Sequence, residues 1–537
     1  MNGLPRERML LRADADSRIG TGHVMRCLAL AQAWKACVRQ RGDAPHDAVH
    51  LLCGPSLPEV LRERIELEGV RVATLPAGLT PGSAAERDFT RAYAERIEAG
   101  TIVVDGYVFD ADYYAGLRAP GRPLLAIDDC VTSSYYPVDV LLNQNLGASE
   151  ALYPAGERRD ADTRLLIGPR YVLLRDEFVS RDVPLAPRRE ASSVDRPMRV
   201  LITLGGSDPE GLTRRVARAM ATLDTPALEA LVVMGAATPP QRAQEVADEV
   251  GSRGRVVRSV PNMAEVMAWA DVAITASGST IYEAMAMGLP SLVVVAAANQ
   301  RELASALFER GIGASLGEHR ALDEARVATE LQRLLEDPVR RRAYARAARE
   351  VVDGHGRSRV VDALHYPTLS IRPAVAADCE WLWVCANDPE MRSNSFSPEP
   401  IAWEDHVRWF DARMNDPRAS IWLGIDAANE RVGYVRFEPR EESAADDELV
   451  VSVGVATKHR GKRYGDPLLR LAFAEEYRTR PSLMYIHGYV RLENKASHRL
   501  FADIGFEKAS RVTVAGYEAY HVVATRPPEL LAPVIIR

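Results

Sequence analysis

One histidine stands just past a pair of closely spaced glycines. Gly20-Thr-Gly22-His23-Val-Met-Arg26 follows an apolar run, Met9–Ala13, and leads into a stretch with helical spacing. Glycines there let the backbone turn tightly and approach a ligand. The unpaired amides of a helix start carry positive potential. That field disfavours a protonated ring, so His23 is expected to be neutral and able to take a proton from water. A capping segment with an incidental histidine is the plain alternative. More polar groups follow other apolar runs: Asp105-Gly-Tyr107, Asp128-Asp129 and Asn143-Gln-Asn145. Each could be a turn or a cap. Three at one sheet edge would make a substrate floor.

A second set repeats the pattern further along. Leu204-Gly205-Gly206-Ser207-Asp208 and Ala276-Ser-Gly278-Ser279-Thr280-Ile-Tyr-Glu283 are both strand–glycine–helix turns suited to holding phosphate oxygens on backbone amides. Glu283, one helical turn on, could accept hydrogen bonds from both ribose hydroxyls of a nucleotide. Asn299-Gln300 opens the next helix, where ordinary capping is the alternative.

These groups need a scaffold that gathers strand ends. Short apolar strands alternate with amphipathic helices from Met9 onward, at Ala48–Leu52, Val70–Leu75, Thr101–Val104, Leu124–Ile127 and Val140–Leu142. After a proline- and arginine-rich break at Val183–Pro197 they resume at Met198–Leu204, Leu231–Met234, Val256–Val257, Val272–Thr275 and Ser291–Val295. Such alternation predicts two doubly wound α/β lobes with a cleft between them. From Leu369 the style becomes α+β, with helices at Trp381–Asn387 and Glu404–Met414, then strands at Ser420–Asp426, Arg431–Glu438 and Glu448–Val455. The acidic run Glu441–Glu448 reads as a hairpin loop. The expected divisions are lobes over 1–183 and 198–360 joined by a linker, 184–197, a third domain over 367–525 and a tail, 526–537.

The front motifs resemble a known family. The second-lobe set is similar to the UDP-binding lobe of GT-B sugar-nucleotide enzymes. The Arg12-Ala-Asp14 strand end, the glycine–histidine loop, the paired aspartates, Gly168-Pro-Arg-Tyr171-Val-Leu-Leu-Arg175-Asp-Glu-Phe178 and Asn299-Gln300 together resemble UDP-2,4-diacetamido-2,4,6-trideoxy-β-L-altropyranose hydrolase of pseudaminic acid synthesis, over roughly residues 9–355. The resemblance implies cleavage at the anomeric carbon by water, with inversion and no metal. It makes His23 the base or water-orienting group. Gly20, Gly22, Arg26, Asp105, Tyr107, Gly205, Ser207, Gly278, Ser279, Thr280, Glu283, Asn299 and Gln300 become substrate and UDP contacts.

At the rear, Val451-Ser-Val453-Gly-Val455 is a strand, and His459-Arg460-Gly461-Lys462-Arg463-Tyr464-Gly465 leads into a helix. Successive amides there would suit a pyrophosphate. The run resembles the R-x-x-G-x-G loop of GNAT acetyltransferases, with Arg463 in place of the middle glycine. Val490-Arg-Leu-Glu-Asn494-Lys-Ala-Ser497-His-Arg-Leu-Phe501 resembles a second segment of that superfamily, with Phe501 where many relatives carry a thiolate-protonating tyrosine. The resemblance implies acetyl-CoA as co-substrate, held by Val453, Val455, Arg460, Gly461, Lys462, Arg463, Tyr464, Gly465, Asn494 and Ser497, with the 4-amino group of a UDP-linked sugar as acceptor. Tyr517 and Tyr520 are candidate acids. Glu438 and Glu448 are candidate bases. Asn387–Arg392 and His406 are candidates for the acceptor side.

Bulk properties exclude other classes. The net charge of −7 over 537 residues argues against a nucleic-acid binder. Cys27, Cys37, Cys53, Cys130, Cys379 and Cys385 form no C-x-x-C pair, so no zinc site or disulfide framework is expected. No apolar run suggests a signal peptide or a membrane span, and a cytoplasmic protein is expected. The rival functions are a GT-B glycosyltransferase with an accessory acetyltransferase, a silent sugar-nucleotide sensor, the equivalent step toward another nonulosonic acid, and a protein N-terminal acetyltransferase at the rear.

Overall fold

The structure is a computed structural model that describes residues 8–16, 19–40, 47–179, 197–205, 211–224, 227–235, 238–258, 260–297, 300–366, 369–426, 428–440 and 447–525. The expected linker, except Pro197, the tail and most of the acidic run fall outside the described residues. The chain forms two compact units, Met1–Leu364 and His365–Arg537.

The front unit contains two parallel sheets. The first has strands β1 (Met9–Ala13), β2 (Val49–Cys53), β3 (Arg71–Thr74), β4 (Thr101–Asp105), β5 (Leu124–Ile127), β6 (Val140–Asn143) and β7 (Arg164–Ile167), in the order 3-2-1-4-5-6-7. The second has β8 (Met198–Thr203), β9 (Leu228–Met234), β10 (Gly254–Arg258), β11 (Val272–Ala276), β12 (Ser291–Val295) and β13 (Gly313–Glu318), in the order 10-9-8-11-12-13. Every residue of β1, β4 and β11 is buried. Strands covered on both faces read as continuous apolar runs, which is why they were visible in the sequence. The edge strands β7 and β13 escaped notice, because their burial is partial and interrupted.

The lobes exchange elements across the expected limits. Val172, Leu174 and Phe178 pack into the second-lobe core with Met285 and Leu303. Conversely, the helix Gly356–His365 buries Val360, Val361 and Leu364 in the first-lobe core, beyond the expected limit at 360. Gly356 permits this return, since a Cβ there would stand 2.3 Å from the Val172 carbonyl oxygen.

The rear unit has one mixed sheet of β14 (Leu369–Pro373), β15 (Ser420–Asp426), β16 (Arg431–Pro439), β17 (Glu448–Val455), β18 (Tyr485–Arg491), β19 (Glu507–Val514) and β20 (Tyr517–Thr525), in the order 14-15-16-17-18-20-19. All its pairings are antiparallel except β17 with β18. That parallel ladder runs only from Glu448–Tyr485 to Val450–His487. Beyond it β17 continues to Val455 paired with β16 alone. The helix Gly465–Thr479 covers the sheet with Leu468, Leu469, Ala472 and Phe473. Among the described residues no helix is long and apolar enough to cross a membrane.

Candidate functional site

A cavity of about 460 Å³ lies between the two front lobes, a volume suited to a small organic ligand. Gly20, Gly22, His23, Arg26 and Tyr107 line it from one lobe, and Gly205, Gly278, Ser279, Thr280, Glu283 and Gln300 from the other. The walls come close: a Cβ on Gly22 would meet the Ser279 hydroxyl at 3.8 Å. Ser207 and Asn299 lie outside the described residues. Ser279 begins the helix Ser279–Ala286, so its first amides have no partner within that helix. Gln300 is fixed by accepting hydrogen bonds from the Ala296 amide at 2.9 Å and the Ser277 hydroxyl at 3.4 Å.

Asp105 does not take the place expected of it. It ends β4 fully buried and is not part of the cavity wall. Its Oδ1 lies 2.6 Å from His23 Nδ1, and both its oxygens accept from Arg26 at 2.5 Å. Burial alone would raise its pKa, but the charges and hydrogen bonds of Arg26 and His23 outweigh that and hold it well below the carboxylate range. Arg26 Nη2 also lies 3.1 Å from Nδ1. A bare Nδ1 would face the Asp105 carboxylate unfavourably, so Nδ1 carries the proton and donates to Asp105. The other ring nitrogen is then the acceptor of this cavity-lining histidine. Arg26, expected as a substrate contact, spends most of its donors on Asp105 and on Asp129, at 2.9 and 3.0 Å. It holds these carboxylates in place while also lining the cavity.

The strand-end polar groups divide in the same way. Asp128 is buried and accepts from the hydroxyls of Tyr136 (2.8 Å) and Tyr153 (2.6 Å), while Asn143 donates to Tyr153 (2.8 Å). Asp129, Gln144 and Asn145 reach the cavity. Tyr107 sits edge-on to the His23 ring at 4.7 Å, with its hydroxyl 3.2 Å from Asp129.

Two cavity arginines were missed. Arg175 donates to Glu283 Oε1 at 2.8 Å and pairs with Glu177 at 2.8 Å, and Arg64 reaches Glu177 at 3.4 Å. Burial and the charge of Arg175 lower the Arg64 pKa. Arg175 stood inside a quoted motif, so it could have been singled out. Arg64 lies in an ordinary charged helix, Glu59–Leu67, with no local signal.

In the rear unit the Arg460–Gly465 segment has the backbone of a ligand loop. Gly461 has φ +72° and Arg463 has φ +62°, so Arg463 adopts the left-handed conformation at the position where the motif has glycine. Arg460 departs from expectation. Its guanidinium pairs with Asp388 at 2.5 Å and Glu390 at 2.8 Å, and its Nε donates to the Val455 carbonyl at 3.1 Å. It fastens the loop instead of pointing at a ligand. Asn494 caps the helix Lys495–Asp503 by accepting from the Ser497 amide at 3.0 Å. Phe501 is buried against Phe506, with ring centroids 4.9 Å apart.

The "Acetyltransferase (GNAT) domain" family matches residues 368–507, and the "Glycosyltransferase family 28 C-terminal domain" family matches residues 200–358. The chain carries a GNAT acetyltransferase domain behind a glycosyltransferase-28-like domain. An uncharacterized protein of Methanocaldococcus jannaschii is 21% identical over 94% of this chain and 97% of its own length. The spore coat polysaccharide biosynthesis protein SpsG of Bacillus subtilis is 30% identical over 38% of this chain and 58% of its own. The UDP-N-acetylglucosamine--N-acetylmuramyl-(pentapeptide) pyrophosphoryl-undecaprenol N-acetylglucosamine transferase of Xanthomonas euvesicatoria is 30% identical over 31% of this chain and 40% of its own. The chain thus spans about half the length of the latter two.

The acetyltransferase domain holds a cavity of about 280 Å³ lined by Arg392, His406, Trp409, Tyr434 and Arg436. His406 is fixed by a 2.9 Å contact from Nε2 to the Cys379 carbonyl. Asn387 instead ties down Ile401, accepting from its amide at 2.7 Å. Of the candidate bases, Glu438 pairs with Arg413 at 2.5 Å. The hydrogen bond from Arg440 holds Glu448 below its ordinary pKa and so makes it a weaker base. Tyr517 lies under the Arg491 guanidinium, and Tyr520 contacts Arg511 and Lys508.

Proposed function

We propose that the front unit hydrolyses a UDP-linked 2,4-diacetamido-2,4,6-trideoxy sugar of the pseudaminic acid type, and that the acetyltransferase domain makes that substrate by acetylating its 4-amino precursor. The front reading rests on one observation. A histidine backed by a buried carboxylate faces, across a ligand-sized cavity, the glycine–serine–threonine start of a helix. The diphosphate sits on the Gly278–Thr280 amides, and Glu283 takes the ribose with the oxygen that Arg175 leaves to it. Water gives a proton to the free nitrogen of His23 while its oxygen bonds to the anomeric carbon. The bond from that carbon to the diphosphate oxygen breaks, and its electron pair leaves with UDP. Asp105 stabilises the imidazolium that forms. A diphosphate leaves as a stable anion, so one positioned base suffices where ordinary glycosidases need two carboxylates.

At the rear, the sugar amine attacks the acetyl-CoA thioester, forming the amide as the C–S bond breaks and CoA departs as the thiol. The unpaired stretch of β17 and the Gly461–Gly465 amides suit the coenzyme. Arg392 and Arg436, each with a buried Nε that makes no hydrogen bond among the described residues, though that of Arg436 lies 3.8 Å from Glu438, suit an anionic acceptor such as a nucleotide sugar.

The test supplies the 4-amino UDP-sugar with acetyl-CoA and follows CoA and UDP release separately. His23→Ala is expected to lower UDP release by roughly 10²–10⁴-fold and leave CoA release intact. Joint loss of both with the fold preserved would defeat the two-site reading. The likeness to the Xanthomonas transferase favours a second reading, sugar transfer to an alcohol. UDP release that requires an added alcohol acceptor, with no free sugar formed, would establish that reading instead.

A further inference from the structure

Ligating side chains also meet at the entry to the coenzyme loop. Asp426 ends β15, Glu430 immediately precedes β16, and His459 ends the short turn Thr457–His459 after β17. One ligating atom from each lies within 4.8 Å of the others. Two carboxylates near a surface would mean little, because such groups are commonly solvated.

His459 makes the cluster different. Its side chain is only 5% exposed, and neither ring nitrogen has a hydrogen-bond partner among the described residues. Nε2 faces Glu430 at 3.5 Å, too far for a good hydrogen bond. Buried polar atoms are nearly always satisfied, so an orphaned imidazole aimed at a carboxylate needs a partner. Asp426 is already set in place, since one of its oxygens accepts from the amides of Ala428 (3.0 Å) and Glu430 (2.8 Å). The Lys458 ammonium rests on Glu430 at 2.7 Å. Its side chain is 61% exposed and can swing away when a cation takes its position.

We propose that Asp426, Glu430 and His459 form a binding site for a divalent transition metal of the zinc class. One imidazole nitrogen, two carboxylate oxygens and a water complete a tetrahedral set of the kind zinc accepts. This set contains no cysteine, so cysteine spacing carries no sign of it. Because His459 adjoins Arg460, the ion ties the β15–β16 turn to the start of the loop and fixes its entry. That coupling rests on reading the loop as the acetyl-CoA site, whereas the metal binding does not.

The experiment titrates the metal-free full chain with Zn²⁺ by calorimetry and with Co²⁺ by visible absorption. One equivalent of Zn²⁺ is expected, with a Co²⁺ d–d band and no thiolate charge-transfer band, which separates this site from the free cysteines. His459→Ala and the surface change Glu430→Gln should each weaken binding by about tenfold or more, and Lys458→Ala should tighten it. Acetyl-CoA should bind roughly threefold tighter with Zn²⁺ present in the wild type, and equally with and without Zn²⁺ in His459→Ala. No saturable binding up to about 1 mM Zn²⁺, or binding that survives Glu430→Gln, overturns the site. Zinc-independent coenzyme affinity overturns the coupling. A chain that binds Zn²⁺ through these residues but no acetyl-CoA defeats the coenzyme reading and leaves the metal site standing.

Discussion

The front cleft carries its chemistry in side chains, whereas the rear loop carries its binding surface in the backbone. His23 is aimed by Asp105, which is held by Arg26, which is braced in turn by Asp129. Each link is a specific pair of polar atoms, mostly buried, and none has a close substitute. The loop of the acetyltransferase domain has lost the motif's glycine to Arg463 and has turned its arginine, Arg460, toward Asp388 and Glu390. Its chain still passes through the left-handed conformation that exposes successive amides. Recognition through amides depends on φ and ψ and so tolerates changes of residue type. Proton transfer through an oriented ring does not.

Asp105→Asn strikes the difference hardest. An asparagine there cannot stabilise the imidazolium and can hold the wrong tautomer. UDP release should therefore fall by roughly 10³-fold in kcat with KM little changed. Steady-state kinetics on the UDP-sugar check this, and a loss under tenfold would detach Asp105 from His23. The variant should also lose stability, by roughly 3–5 kcal/mol, since the buried Arg26 keeps only the half-buried Asp129 of its two carboxylate partners. The pH dependence has a definite sign. The folded pKa of Asp105 lies below its unfolded value of about 3.9. Its contribution is therefore complete above that value and is lost as pH falls toward the folded pKa. Urea unfolding should show a large gap between wild type and variant at pH 7 and a smaller one near pH 3.

This chain of contacts also marks what could be read before the structure. Buried parallel strands such as β1, β4 and β11 declare themselves as apolar runs, and the turns behind them carry the glycines and the histidine. The direction in which a strand-end residue points is not local information. Asp105 and Tyr107 are two residues apart, yet one is buried under His23 and the other lines the cavity. Arg64 lines the cavity beside Glu177, which comes from a segment more than a hundred positions away. At the rear, the motif residues revealed the loop, but Arg460 was captured by two acids some seventy positions earlier. No spacing rule reports such a contact.

A smaller effect sharpens the contrast within the front cleft. Glu283 is gripped by Arg175 on one oxygen, and the proposed function gives the other to the ribose. Glu283→Ala should weaken UDP binding by about tenfold, the scale of a charged hydrogen bond. Arg175→Ala should weaken it less if Arg175 mainly positions Glu283. Calorimetry with UDP ranks the two, and unchanged affinity in Glu283→Ala removes the ribose role.

The smallest effect tests the backbone side of the comparison. Arg463 pays for its left-handed conformation by roughly 1–2 kcal/mol relative to ordinary φ. Glycine removes that strain but gains freedom in the unfolded chain, which costs about 0.5–1 kcal/mol. Arg463→Gly should therefore stabilise the protein by up to about 1.5 kcal/mol, read from urea unfolding of the acetyltransferase domain within the full chain. If the loop binds through its amides, acetyl-CoA affinity should stay within roughly threefold of wild type. A loss of more than about tenfold would show that the guanidinium itself holds the coenzyme. The rear loop would then depend on a side chain just as the front cleft does.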